Sequence, residues 1–195
     1  MSLAVVYSRA SLGTSAPLVT VEVHLSNGLP SFSIVGLAET AVKESRDRVR
    51  SALKNSGFDF PTRRITVGLA PADLPKRGGR FDLPIALGIL VAAGQLSLEA
   101  LQDIEFLAEL GLGGELRPVD TILSAAVAAT TMGHAIALAP DDVVEASRVR
   151  TARLLPAVNL SALVDHLAGV KPLNWTFEQP VFRQAAESDL SGIKG

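Results

Sequence analysis

The chain has no cysteine among its 195 residues, which excludes disulfides and thiolate metal sites and fits a reducing compartment. Aromatic residues supply only 5% of a sequence that is 48% hydrophobic, so the core must be built from Ala, Val, Leu and Ile. Long apolar runs are missing too: stretches such as Leu83–Ala93 are too short to span a bilayer. Met1–Val6 lacks the basic segment that opens a signal peptide, so a cytoplasmic protein is expected. The sequence also contains no G-x-x-x-x-G-K-[ST] phosphate loop, no Ser/His/Asp or Cys/His set and no metal-ligand cluster. Accordingly, no catalytic, cofactor-binding or metal residue is assigned. The length suits one medium domain, alone or with an appendage.

What the chain does have is an uneven charge distribution. Residues 43–80 carry ten of the eighteen Lys/Arg and only four acids, a local +6 that leaves −8 elsewhere in a chain of net charge −2. Such a basic middle marks a nucleic-acid or phosphate surface, a contact with an acidic subunit, or a solvated helix face. Within it, the apolar run Ile65–Ala70 empties into a loop bearing Lys76, Arg77, Arg80 and the Gly78-Gly79 pair. That loop reads either as an anion site or as a strand-to-helix connection with solvated charges.

In chain order, strands are expected over Leu3–Arg9 and Leu18–Leu25, joined by a hairpin loop at Gly13–Ala16. His24 falls on the polar side of its strand and reads as a surface residue. Asn27-Gly28 signals a turn before a strand at Phe32–Val35. A helix opens at Glu39 or Thr40 and runs to about Ser56, with Gly57 closing it and Val42, Val49, Ala52 and Leu53 as its apolar stripe. Glu44 and Arg48 are spaced as an i,i+4 pair. Asp82 is the expected N-cap of helix Leu83–Ala93, which is apolar all round, with Gly88 permitting close packing.

Strand Phe106–Leu110, the Gly111–Gly114 turn and a short strand near Glu115–Arg117 form a hairpin rather than a nucleotide fingerprint. Asp120 or Thr121 caps an Ala-rich helix through Met132. Strands Ala135–Ala139 and Arg153–Ala157 and helix Leu160–Leu167 follow. Asp141 and Asp142 open a short helix, where neighbours point different ways and do not make a metal site. His134 and His166 fall at helix ends. From Lys171 the texture becomes that of a linker lying against something. The alternation of strands and helices implies an α/β domain with a mixed sheet and an antiparallel opening hairpin.

The runs Val21–Pro30, Ile34–Leu37 and Glu39–Val49, with the central stretch Leu69–Leu87, closely resemble the N-terminal domain of the ComM/YifB family of magnesium-chelatase-like AAA+ ATPases. The resemblance covers essentially the whole chain, with Ala38 standing where Pro is expected and Gly68 where Asn is expected. It implies a Lon-protease-domain-like fold, related to the second domain of a ribosomal protein, over 1–170. Residues 171–195 become a linker whose Asp189–Gly195 end leads into an AAA+ module. ATP and Mg2+ belong to that module, in a parent resembling hexameric DNA branch-migration helicases of natural transformation.

The same resemblance raises a Ser–Lys peptidase, and the residues argue against it. The position matching Lon's nucleophile is Arg80, and Val119–Ala125, the region matching the general-base lysine, contains no lysine. The expected role is therefore non-enzymatic. The domain would help ring assembly and engage DNA, with phosphate contacts from some of Arg46, Arg50, Arg63, Arg64, Lys76, Arg77 and Arg80. The alternative is an oligomerisation or regulatory module whose cations face a neighbour's acids.

Overall fold

The computed structural model describes residues 2–36 and 40–176. Its centre is a seven-stranded mixed sheet in the order β3-β4-β2-β1-β5-β8-β9. β1 (Ser2–Arg9) and β2 (Leu18–Ser26) form the expected antiparallel hairpin, in register from Ser2 opposite Leu25 to Arg9 opposite Leu18. β3 (Ser31–Val35) follows the Asn27-Gly28 turn but does not lie beside β2. β4 (Arg64–Ala70) takes that place, antiparallel to β2, and β3 pairs parallel on its outer side. β5 (Ile104–Leu107) is parallel to β1, and β8 (Ala135–Leu138) and β9 (Leu154–Pro156) continue in parallel. Only β2 therefore runs against the rest.

Burial explains why the strands read differently in sequence. β5 and β8 are buried at every position, as expected of parallel strands covered on both faces. β2 and β4 alternate, with Val19, Val21, Val23, Ile65, Val67 and Leu69 in the core. On the other side of that half of the sheet, Glu22 is exposed while Thr20, His24 and Thr66 are half-buried. Leu3, Tyr7 and Val35 share this face, 61%, 37% and 53% exposed.

The helix expected over 39–56 is two helices, α1 (Thr40–Lys43) and α2 (Ser45–Asn55), separated by a turn at Glu44. Val42, Val49, Ala52 and Leu53 are all buried, as their spacing predicts. α3 (Asp82–Ala92) is the buried centre of the domain. An added Cβ at Gly88 would stand 2.5 Å from Val23 Cγ2, so only glycine lets the helix approach β2 this closely. Asp82 is not the N-cap: Phe81 holds that position, and Asp82 is the first helical residue, fully buried. Its carboxylate accepts from Arg48 Nε at 2.7 Å, Arg48 Nη2 at 3.1 Å and the Leu110 N–H at 3.2 Å. Arg48 thus reaches inward to α3. Burial raises the Asp82 carboxyl above its ordinary value, opposed by the Arg48 hydrogen bonds, while the bond to Asp82 raises the Arg48 guanidinium.

The expected strand Phe106–Leu110 breaks at Ala108, whose carbonyl accepts from the Leu83 N–H at 3.2 Å. β6 (Glu109–Leu110) then pairs with β7 (Leu116–Arg117) as a separate hairpin. α4 (Ile122–Thr131) packs in a second core cluster with Leu107, Ile136, Leu138 and α5 (Val143–Ala146). α6 (Leu160–Leu167) belongs to the first cluster with α2 and α3 and is capped by Asn159, whose side chain accepts from the Ala162 N–H at 2.9 Å. Thr121 precedes α4 with φ of +60° and makes no side-chain cap, contrary to expectation.

A buried charge network ties the two halves together. Glu105, on fully buried β5, accepts from Arg9 Nε at 2.5 Å and Nη2 at 2.6 Å, and its Oε1 lies 2.9 Å from His134 Nδ1. Arg9 Nη1 also donates to the Ala16 carbonyl at 2.9 Å. The His134 ring is held by this carboxylate, a partner its position at a helix end did not suggest.

Residues 171–176 lie against the domain. Thr176 N–H donates to the Leu154 carbonyl at 2.8 Å, and Leu173 N–H donates to His166 Nδ1 at 2.8 Å. Trp175 meets the edge of His166 and sits under the Arg153 guanidinium, 5.5 Å from its ring centre. The rest of the expected linker, 177–195, and residues 37–39 lie outside the described residues.

Candidate nucleic-acid interface

The seven cations expected to contact phosphate fall into two groups. Arg64 opens β4, whereas Lys76, Arg77 and Arg80 lie in the loop after its end, so the length of the strand, about 20 Å, separates them. They do not form one patch.

The first group is at the surface. Arg46, Arg50 and Lys54 follow one another at i,i+4 along α2 and are all exposed. The Arg50 guanidinium lies over the Phe60 ring, 5.0 Å from its centre. Phe60 and Arg63 line one cleft of 430 Å3 together with Leu25, Pro61 and Gln95. This segment is pinned by a reciprocal pair in which Asp59 N–H donates to Gln95 Oε1 at 3.1 Å and Gln95 Nε2 donates to the Asp59 carbonyl at 2.8 Å. Arg64 is exposed, its guanidinium lying over the Asn27-Gly28 turn. Lys54 and Phe60 were not among the expected contacts. Their signal in the sequence was the i,i+4 continuation of Arg46 and Arg50 and the aromatic ring between two arginines.

The second group is mostly interior. Lys76 is 0% exposed and its Nζ donates to the Pro71 carbonyl; burial pushes the ammonium below its ordinary pKa. Arg80 is 4% exposed, and its Nη2 donates to the Asp120 carbonyl at 2.6 Å and to Thr121 Oγ1 at 3.3 Å. Arg77 is exposed on the rim of a cleft of 490 Å3 that Arg80, Gly78, Gly79, Ser11, Glu109 and Thr121 also line. Lys76 and Arg80 therefore stand back from the surface that a polyanion would meet.

Asp142 is buried and accepts from the Val119 N–H at 3.1 Å, while Asp141 is exposed. Burial raises the Asp142 carboxyl to about 6. As expected from their adjacency, the two carboxylates diverge. Among the described residues, no three His, Asp or Glu are placed to hold a metal ion, and no helix is long and apolar enough to cross a membrane.

Comparison with known proteins places this chain in a family. Residues 21–143 match the family of subunit ChlI of Mg-chelatase. The chain is 54% identical over 173 residues to competence protein ComM of Haemophilus influenzae, covering 89% of this chain and 34% of that protein. It is 46% identical over its full length to YifB of Escherichia coli K12 and 45% identical to YifB of Salmonella typhimurium, spanning 38% of each. The chain thus corresponds to between a third and two fifths of these relatives. It belongs to the magnesium-chelatase ChlI family, and its relatives include ComM and YifB.

Proposed function

We propose that the chain is a non-catalytic domain of a ComM-like AAA+ ATPase that acts on DNA in competence, and that it contributes to ring assembly and offers its exposed arginines to the DNA backbone. The observation that carries the DNA part is the surface group Arg46, Arg50, Lys54, Arg63 and Arg64, presented by α2 and the start of β4. Its cations are positioned for sequence-independent phosphate contacts, and Phe60 is already covered by Arg50 rather than open to a base. ATP and Mg2+ belong in this reading to an AAA+ module outside the chain. The linker role of 171–195 is part of the same proposal, as is a Lon-like relationship of the fold. The non-catalytic assignment is supported by the buried Arg80 where a Lon-like nucleophile would stand, and by the lack of lysine in 119–125.

A second reading, a module for subunit contact alone, is favoured by the open sheet face carrying Leu3, Tyr7 and Val35. The two are separated by Arg63→Glu with Arg64→Glu in the full-length parent, assayed for forked-DNA affinity by anisotropy and for assembly by sedimentation. Weakened DNA binding with intact assembly supports the first. Intact DNA binding with lost assembly refutes it. Charge reversal at Arg80 would not serve, because that residue is buried.

A further inference from the structure

The central sheet is layered on both sides along one half and on one side along the other. α2, α3 and α6 pack over one side, and on the opposite side α4 and α5 close over Leu107, Ile136, Leu138 and Leu154 of β5, β8 and β9. Among the described residues that second layer ends at β5, and the same side of β1, β2, β4 and β3 presents Leu3, Tyr7, Glu22 and Val35 to solvent.

The strand registers fix the layout of this face. Ser33, Thr66, His24 and Leu3 stand side by side at one level across β3, β4, β2 and β1. At the next level on the same face stand Val35, Gly68, Glu22 and Val5. Acid and imidazole are therefore neighbours along β2, in the middle of the face. Glu22 Oε2 lies 3.6 Å from the place a Cβ at Gly68 would take, so its carboxylate stays over the sheet. Arg64, opposite Ser26, stands at the far corner.

A two-fold axis crossing β2 between Glu22 and His24, in the plane of contact, lays one level of the first copy over the other level of the second. Each Glu22 then meets a His24 that can donate to it, and each Leu3 meets a Val5. Each Thr66 meets a Gly68, whose missing side chain leaves room. Beside Val5, a hollow of 210 Å3 lined by Tyr7, Leu98, Leu101 and Gln102 is open to Leu3 of the second copy. Such self-complementarity is what an isologous contact requires.

We propose that this face docks a second copy of the chain, sheet on sheet about that two-fold axis. The dimer gives the subunit-contact reading its partner, and it rests on that reading. Packed sheets stand about 10 Å apart with their strands within about 30° of one another. Four strands about 4.8 Å apart and seven residues of about 3.3 Å give each copy roughly 440 Å2. The pair thus falls at the low end of specific interfaces, and a dissociation constant on the order of 100 μM is expected.

The test is sedimentation equilibrium of this chain at neutral pH, over concentrations from about tenfold below to tenfold above that constant. Reversible monomer–dimer behaviour is expected. Glu22→Lys removes the acceptor and His24→Glu sets carboxylate against carboxylate, so each should weaken self-association at least tenfold. Both side chains lie outside the core. Mixing the two variants restores one opposite-charge pair and one parental pair per contact, so a mixed dimer of at least parental affinity should form. A chain monomeric throughout, a dimer indifferent to both changes, or no mixed dimer would each overturn the proposal. If either variant does not fold, Leu3→Asp decides, with the same loss expected and an unchanged dimer overturning it. Glu22→Lys in the full-length parent distinguishes the dimer from the reading beneath it. Lost assembly there, with this chain monomeric alone, keeps a subunit contact at this face but overturns the two-fold dimer. Intact assembly there, with this chain monomeric, overturns both.

Discussion

Replacing Arg48 with Met would test how the domain fixes its central helix. Arg48 makes two hydrogen bonds to Asp82, whose side chain is 0% exposed and whose other partners include the Ser45 side chain and the Leu110 N–H. Arg48→Met leaves a buried carboxylate without its cation, held by the neutral donors of Ser45 and the Leu110 N–H. Removing one member of such a pair costs about 3–5 kcal/mol. At about 2–4 °C per kcal/mol for a chain of this size, the midpoint of thermal unfolding should fall by roughly 6–20 °C at pH 7. The pH dependence has a definite sign. With Arg48 gone, burial is opposed only by the Ser45 and Leu110 hydrogen bonds, and the folded pKa of Asp82 rises further above the unfolded value of about 3.9. The penalty is therefore full above the folded pKa and shrinks as pH falls toward the unfolded one. The double variant Arg48→Met, Asp82→Leu should recover most of the loss, since an apolar pair of similar volume is often neutral or better. Urea unfolding at pH 7 and pH 4.5 reads all three. A loss below about 1 kcal/mol for Arg48→Met, or a loss independent of pH, would refute this reasoning.

Other positions test other joints. Glu105→Gln should cost about 3–5 kcal/mol in urea unfolding, because Arg9 stays buried beside a neutral amide. Gly88→Ala places a methyl 2.5 Å from Val23 Cγ2, and overpacking of about 1–3 kcal/mol outweighs the helix gain of about 0.5–1 kcal/mol, so unfolding midpoints should fall. Asp142 has its folded pKa raised to about 6, so its contribution is lost as pH rises through that value. Asp142→Asn should therefore gain about 1–2 kcal/mol over the parent at pH 7.5, after allowance for screening, and nothing near pH 4.

Much of the fold was legible because its signals are local. The alternation in Val19–Leu25, the apolar run of α3 and the glycine turn before β7 each name their own element. What escaped was long-range pairing. Nothing near Phe32 says that β4 will enter between β2 and β3, since that choice is made by a strand thirty residues later. Arg48 read as a partner for Glu44 because spacing is visible, whereas Asp82 is brought to it by the fold. Asp82 read as a cap for the same reason. The basic stretch was correct as a count of charge, but spacing does not say which side chains fold inward. Lys76 and Arg80 lie in an irregular loop, which has no period from which an inward face could be inferred. α2 does have one, and there Arg46, Arg50 and Lys54 are outside, as the apolar stripe on its other side requires.

The most direct test of the proposed role is the salt dependence of binding between this chain and labelled forked DNA, followed by fluorescence anisotropy. Contact through three to five of the surface cations predicts that log K falls against log [salt] with a slope of roughly −2 to −4. Arg63→Glu with Arg64→Glu should flatten that slope by roughly 2 and weaken binding across all sequences. No binding at low salt, or a slope unchanged in the charge-reversed chain, would contradict DNA engagement by this surface and leave its arginines to a subunit contact.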